Sequence, residues 1–335
     1  MDILVTGGTG YIGSHTCVEL LNKGHNIVIV DNLSNSFEDV ISKIEQITNK
    51  KVKFIHISIC SDIGMQALFA SHHFDAVIHF AGLKAVGESV QEPLKYYYNN
   101  VYGTITLLKA MKEHNVNKLI FSSSATVYGT PKQVPIKETS DVGGTTNPYG
   151  TTKLIIEKIL QDYSKANPNS GISILRYFNP VGAHKSGLIG ENPIGIPNNL
   201  VPYIAQVAMG QRDKLHIFGN DYPTKDGTGI RDYIHITDLA NGHIAALEKI
   251  EKENGLFIYN LGTGNGYSVF DVLRTYEKVS NKKIPYVIEK RREGDIAECY
   301  ADASKAKEEL NWETKYNLLD MCASSWNYQI KNFEF

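Results

Sequence analysis

The chain opens on Ile3-Leu4-Val5-Thr6-Gly7-Gly8-Thr9-Gly10-Tyr11-Ile12-Gly13-Ser14-His15, an apolar strand that passes through glycines spaced G-x-x-G-x-x-G into a helical pattern marked by Val18, Leu20 and Leu21. Few folds accommodate such a start. Gly7 permits the tight turn, Gly10 lets backbone approach a pyrophosphate, and Gly13 lets the helix pack close to the strand with its N-terminus facing an anion. A second apolar run, Ile27-Val28-Ile29-Val30, ends in Asp31, where a carboxylate hydrogen-bonds a ribose diol and repels a 2′-phosphate. The triplet alone is also compatible with a glycine turn that binds nothing. In this order of strand, turn, helix, strand and acid, it predicts a dinucleotide site that takes NAD rather than NADP.

Further apolar runs follow at 52–57, 76–80, 118–122 and 172–176, with helix-length segments between most of them. That alternation predicts an α/β protein: a Rossmann-type doubly wound parallel sheet over residues 1–180, with ligands at the carboxyl ends of its strands. Three such ends carry suggestive residues: Phe80-Ala81-Gly82-Leu83-Lys84, Ser122-Ser123-Ser124 and Tyr177-Phe178-Asn179-Pro180. Each alone is an ordinary strand-to-loop transition. Beyond Pro180 the sequence turns to Gly-, Pro- and Asn-rich loops, which predicts a smaller α/β substrate-binding lobe over 181–335. Residues 232–236 and the helical pattern 239–250 read as a return to the first lobe, so that the two are interleaved.

Tyr149 and Lys153, in Asn147-Pro148-Tyr149-Gly150-Thr151-Thr152-Lys153, have the spacing of a base and its activator. Pro148 opens a helix at its first position with Asn147 as cap, which puts Tyr149 and Lys153 on one face, one turn apart. A free phenol titrates near 10, too high for a base at neutral pH. A cation about 6 Å away at an effective dielectric of about 20 stabilises phenolate by about 3 kcal/mol, or about two pKa units. Two cations would bring it near 7. Lys153 is one, and an oxidised nicotinamide ring is the natural second.

Composition narrows the partners. The 335 residues are 42% hydrophobic, enough for a substantial core in two lobes, and the net charge of −2 with no basic block argues against nucleic acid or an anionic membrane. The first strand begins at Ile3, which predicts no signal peptide, and no apolar run approaches membrane-spanning length. Cys17, Cys60, Cys299 and Cys322 include no C-x-x-C pair and read as reduced residues of a cytoplasmic protein. Adjacent His72 and His73 would point apart, so no metal site is expected.

The glycine loop, Ser124 and the Tyr149/Lys153 pair together resemble the extended short-chain dehydrogenase/reductase family. Longer segments, Phe80 to Ser89, Phe121 to Gly129, Arg176 to His184, Gly195 to Leu200 and Gly229 to His235, narrow the likeness to its sugar-nucleotide epimerases over nearly the whole chain. The resemblance implies reversible inversion at carbon 4 of a UDP-hexose, with NAD reduced and reoxidised in place. Tyr149 would take the 4-hydroxyl proton, Ser124 would hydrogen-bond the same oxygen, and Lys153 would hold the nicotinamide ribose. It further implies cofactor contacts from Gly7, Gly10, Tyr11, Ile12, Gly13, Asp31, Asn32, Ser58, Ile59, Phe80, Ala81, Gly82, Lys84, Asn99, Ser122 and Phe178. By the same likeness Asn179, Asn199, Leu200, Arg231 and Arg292 approach the diphosphate or its surroundings, Asp295 the uridine ribose, and Leu215-His216-Ile217-Phe218 the uracil. A homodimer is implied as well, through helices around 93–114 and 149–163, although packing on the sheet accounts equally well for their apolar faces.

Two positions depart from the family pattern. Ser58 stands where an Asp usually approaches the adenine amino group, which would weaken that contact by about 1 kcal/mol. Cys299 stands beside the hexose, where the family has either a bulky Tyr or a smaller residue. The small choice predicts room for a 2-acetamido group, and a small buried hydrophobe is the competing account of the same cysteine. A 4,6-dehydratase shares the fold, cofactor and initial oxidation, but its acid–base pair should follow Ser124, where this chain has Ala125-Thr126. An NAD-sensing regulator needs no Ser124, Tyr149 and Lys153 together.

Overall fold

In chain order the strands are β1 (Asp2–Thr6), β2 (Asn26–Asp31), β3 (Lys53–His56), β4 (Ala76–His79), β5 (Lys118–Ser124), β6 (Gly171–Tyr177), β7 (Asn179–Val181), β8 (Leu215–Phe218), β9 (Ile230–His235), β10 (Gly255–Leu261), β11 (Gly266–Ser268), β12 (Tyr286–Glu289) and β13 (Glu298–Cys299). The computed structural model describes residues 1–292 and 294–333. Seven strands pair in parallel in the order β10-β6-β5-β4-β1-β2-β3. The order reverses between β1 and β4, where a crevice opens outside the carboxyl ends of the strands.

Burial on both faces explains why these strands are continuous apolar runs. Ile3 and Val5 of β1 face one core with Ile29, Ile78, Ile120 and Leu175, covered by Val18 and Leu21 of the Tyr11–Asn22 helix and Leu239 and Leu247 of the Ile236–Lys252 helix. Leu4, between them, faces the other core with Val30, Val77, Leu119 and Ile174, covered by Met65, Leu107, Met111, Ile156 and Leu160. Each fully buried aliphatic contributes about 1.5–3 kcal/mol, so packing rather than strand propensity holds the sheet.

All six runs read as strands lie in this sheet, and a seventh, β10, extends it. Gly255 to Leu261 pair in parallel with β6 along its whole length. Residues 232–236 divide differently from expectation. β9 pairs with β7, β11 and β13 in a small mixed sheet, whereas the Ile236–Lys252 helix, starting at the next residue, packs on the large one. A parallel β8–β12 pair lies beside a third core, with Val201, Ile204, Ile217, Tyr233, Leu273 and Tyr276, to which the small sheet contributes. Among the described residues no helix is long and apolar enough to cross a membrane.

Candidate active site

Gly7 has φ +72°, and a Cβ there would stand 2.6 Å from the Ala81 nitrogen; one on Gly13 would stand 2.2 Å from the Gly7 carbonyl. Only glycine lets the loop cross β4 and the helix settle on the loop. A Cβ on Gly10 would meet only the Gly7 oxygen, at 3.3 Å. No side chain caps the Tyr11–Asn22 helix, whose N-cap is Gly10, so its first amides are left for an anion.

These amides open onto a cavity of about 500 Å³, within the range of small-molecule and cofactor sites. Of the residues expected to touch a cofactor, Gly7, Gly10, Tyr11, Ile12, Gly13, Asp31, Asn32, Ile59, Phe80, Ala81, Gly82, Lys84, Asn99, Ser122, Tyr149 and Lys153 line it. The Asp31 carboxylate is fixed at the end of β2, accepting from Leu33 N at 3.0 Å and from Thr9 N and Ser36 Oγ at 3.3 Å. A π-type turn over Tyr97–Tyr102 brings Asn99 to the wall. The adjacent buried Asn100 bonds both main-chain groups of Leu83, at 2.8 and 3.0 Å, and Thr152 Oγ1 at 3.1 Å. It thereby ties the Gly82–Lys84 loop to the helix that carries Tyr149.

Two expected cofactor contacts do not line the cavity. Ser58 Oγ accepts from Cys60 N at 3.2 Å, so its hydroxyl is engaged in the chain's own turn. Phe178 packs instead in a small core with Val127, Tyr128, Ile136 and Ala301, against which Cys299 also rests.

Asn147 and Pro148 start the Pro148–Ala166 helix as their chemistry predicts, with Asn147 Oδ1 accepting from Gly150 N at 2.9 Å. Lys153, buried, donates to the Ser122 carbonyl at 2.6 Å, and its ammonium lies 5.9 Å from the centre of the Tyr149 ring. Burial lowers the Lys153 pKa to about 8, with the Glu157 carboxylate working against the fall. Burial also raises the Tyr149 phenol above its ordinary value, and contact with the Ser124 hydroxyl offsets part of that rise. This corrects the expectation that Lys153 is enough to begin acidifying the phenol. Desolvation disfavours phenolate more than the neighbours in the chain favour it. Ser124 Oγ accepts from Thr126 N at 3.2 Å and Thr126 Oγ1 at 3.0 Å, which leaves its own proton to donate toward Tyr149 or a ligand.

The second-lobe residues form a looser set. Arg292 donates to Asp295 at 2.9 Å and lies 4.8 Å over the Phe218 ring, while Arg231 donates to the Ile230 and Ile296 carbonyls at 2.9 Å and stands 3.8 Å from Asp295. Cys299 lies opposite Arg231 in the β9–β13 register. Asn179 donates to Asp232 O at 2.9 Å, and Asn199 precedes Leu200 at the start of the Leu200–Ala208 helix. In β8 the side chains of Leu215 and Ile217 turn into the third core, leaving His216 and Phe218 facing outward. Any contact of Leu215 or Ile217 with a ligand would therefore use main-chain atoms.

Several lining residues have no counterpart among the sequence motifs: Ser36, Lys43, Glu191, Tyr328 and Asn332. Glu191 joins two expected ones, accepting from Asn199 at 2.9 Å and from Lys84 at 3.3 Å. The polar run Asn32 to Ser36 directly after Asp31 was a signal for Ser36. Tyr328 and Asn332, on the Leu318–Phe333 helix, carry no local signal for a site formed some three hundred residues earlier in the chain.

A family model described as GDP-mannose 4,6 dehydratase matches residues 4–325. A UDP-glucose 4-epimerase of Bacillus subtilis (strain 168) is 57% identical over 332 residues, 99% of this chain and 98% of that protein. Among solved structures, the UDP-glucose 4-epimerase from Bifidobacterium longum in complex with NAD+ and UDP superposes with a TM-score of 0.96 at 57% identity, covering 99% of both chains. The UDP-Glc/GlcNAc 4-epimerase from Campylobacter jejuni does so with a TM-score of 0.86 at 41% identity, covering 98% of this chain and 99% of that one.

Proposed function

Because this chain belongs to the UDP-glucose 4-epimerase family, we propose that Tyr149, Lys153 and Ser124 perform the proton chemistry of an NAD-dependent isomerase that inverts carbon 4 of UDP-hexoses. It interconverts UDP-glucose and UDP-galactose through a 4-keto sugar. The observation that carries this reading is that Tyr149 and Lys153 share one cavity wall with the Gly7–Gly13 loop and Asp31. The uncapped helix N-terminus, the open side of Gly10 and the fixed Asp31 carboxylate fit a dinucleotide. NAD, when bound, supplies a reversible hydride acceptor and the second positive charge.

The chain's residues then move one proton and hold one nucleotide. Tyr149 takes the proton of the 4-hydroxyl and returns it to the ketone oxygen after the sugar has turned over. Ser124, its own oxygen already accepting two bonds from Thr126, donates to the sugar oxygen and stabilises its developing charge. Arg231 and Arg292 hold the diphosphate, since a guanidinium donates two charge-assisted bonds to phosphate. Asp295, Asn179, Asn199 and the outward face of 215–218 seat the rest of the UDP. The lobe over 181–335, interleaved with the first, thus grips the nucleotide and leaves the hexose room to turn.

Cys299, small and beside Arg231, supports acceptance of UDP-GlcNAc and UDP-GalNAc alongside the unsubstituted sugars. The exposed apolar side chains of Val90, Leu94 and Tyr98, near the Pro148–Ala166 helix, support a homodimer built on these helices. Four free cysteines support a cytoplasmic setting. A dehydratase is disfavoured because Thr126, which follows Ala125, spends its hydroxyl on Ser124 and offers no carboxyl.

Incubation with UDP-galactose, without added NAD, tests the reading. UDP-glucose is the expected product. A 4-keto-6-deoxy sugar would indicate a dehydratase, and no conversion by protein carrying dinucleotide would indicate a binder without turnover.

A further inference from the structure

Tyr149, Lys153 and Glu157 lie one turn apart on the Pro148–Ala166 helix, and each meets a different one of three successive residues at the end of β5. The Ser124 hydroxyl lowers the Tyr149 phenol's pKa against the rise from burial, Lys153 donates to the Ser122 carbonyl at 2.6 Å, and Glu157 Oε1 accepts from the Ser123 hydroxyl. The first two contacts belong to the chemistry already described. The third has no part in it, although it is the most deeply buried.

Glu157 is 1% exposed and Arg176, its partner on β6, 2%. Arg176 donates to it through Nε at 3.0 Å and Nη2 at 2.7 Å, and lies opposite Ser123 in the β5–β6 register. The remaining fork nitrogen, Nη1, donates to Tyr128 Oη at 2.9 Å, and Tyr128 donates onward to Asn260 Oδ1 at 2.6 Å. A buried ion pair is a poor source of net stability, since well-packed apolar residues of similar volume often serve as well or better. What it supplies that they cannot is a fixed charge and a fixed register.

We infer that Glu157, held by Arg176 and Ser123, is a positioning residue for the proton-transfer pair: it sets the register of the helix on β5 and presents a buried negative charge to the Lys153 ammonium. The inference rests on the roles proposed above for Tyr149 and Lys153. The other charged or titratable groups facing this pair come from every neighbouring element. His79 of β4 is kept neutral by burial, with a pKa of about 3; Tyr177 stands at the end of β6, and Arg176 behind Glu157. Tyr96, from the segment before the π-type turn, donates to Glu88. Among the described residues, Glu157 is the group whose charge opposes the fall in the Lys153 pKa.

Removing that carboxylate while Arg176 stays charged lowers the Lys153 pKa further, so the ammonium is lost at lower pH. The test is the kcat–pH profile of the holoenzyme on UDP-galactose for the parent, Glu157→Gln and Glu157→Asp, with Tyr149→Phe beside them. For Glu157→Gln the alkaline limb should move down by about one pH unit, with kcat reduced several-fold and KM little changed. Glu157→Asp keeps the charge but not the reach, so kcat should fall with the limb unmoved. A Gln variant that loses kcat with its limb in place overturns the inference, because a purely structural role predicts that outcome. Should the Gln variant fail to fold, Glu157→Gln combined with Arg176→Met, which removes the carboxylate without stranding the guanidinium, replaces it: a limb moved down supports the inference, and a limb left in place overturns it. Full turnover by Tyr149→Phe would instead remove the underlying assignment, whatever the Glu157 profiles show.

Discussion

The two sides of the site are built to different standards. On the cofactor side, Lys153 is bonded to the end of β5 and Asp31 is held by three donors at the end of β2, both buried. On the nucleotide-sugar side, the side chain of Arg292 is 55% exposed and its bond is to Asp295, another proposed ligand-contacting residue. The first set belongs to the large sheet, where moving one group disturbs two packed cores. The second set sits on a short strand and loops whose polar groups bond to one another. Under the proposed roles, chemistry that needs sub-ångström placement goes with the rigid side, and a substrate that must enter, turn and leave goes with the adjustable one.

Three substitutions would break or sharpen that contrast. Tyr149→Phe strikes the rigid side at its reacting atom, and kcat for UDP-galactose should fall by about 10²–10⁴-fold with NAD still bound, measured by coupled assay and by absorbance of the purified protein. Parental turnover would end the contrast altogether. Cys299→Tyr adds bulk on the adjustable side, and kcat/KM for UDP-GalNAc should fall by about 10–200-fold relative to that for UDP-galactose. Equal discrimination in parent and variant would refute the pocket-size argument and leave Cys299 as a packing residue. Arg292→Ala removes one of two guanidinium groups from a partly solvated place, so KM for the UDP-sugar should rise about tenfold with kcat changed less. If kcat fell instead, this arginine would belong with the rigid set.

Much of the first lobe was legible because its constraints are local. Buried parallel strands show as apolar runs, and a glycine loop between strand and helix has few uses, so six strands and the parts of the cavity wall formed by the glycine loop, Asp31 and the Tyr149/Lys153 pair follow from short segments. β10 escaped because Gly255-Leu256-Phe257-Ile258-Tyr259-Asn260-Leu261 starts on a glycine and carries an asparagine next to its end, and nothing nearby pairs it with β6. The cavity positions of Glu191, Tyr328 and Asn332 were invisible for the same reason: they face the site through packing between distant segments. Leu215 and Ile217 show the converse. Proximity by resemblance was readable, but the direction of a side chain on a strand is set by which face the neighbouring core covers.

By itself, then, the sequence determined the α/β class, the dinucleotide loop, the Tyr149–Lys153 spacing and its cap, because each depends on backbone freedom or helical period within a few residues. The tertiary structure alone decided how acidic those groups are. Burial, acting on Tyr149 and Lys153 from every side, disfavours both charged forms, and desolvation is a property of the surroundings that no spacing along a chain records.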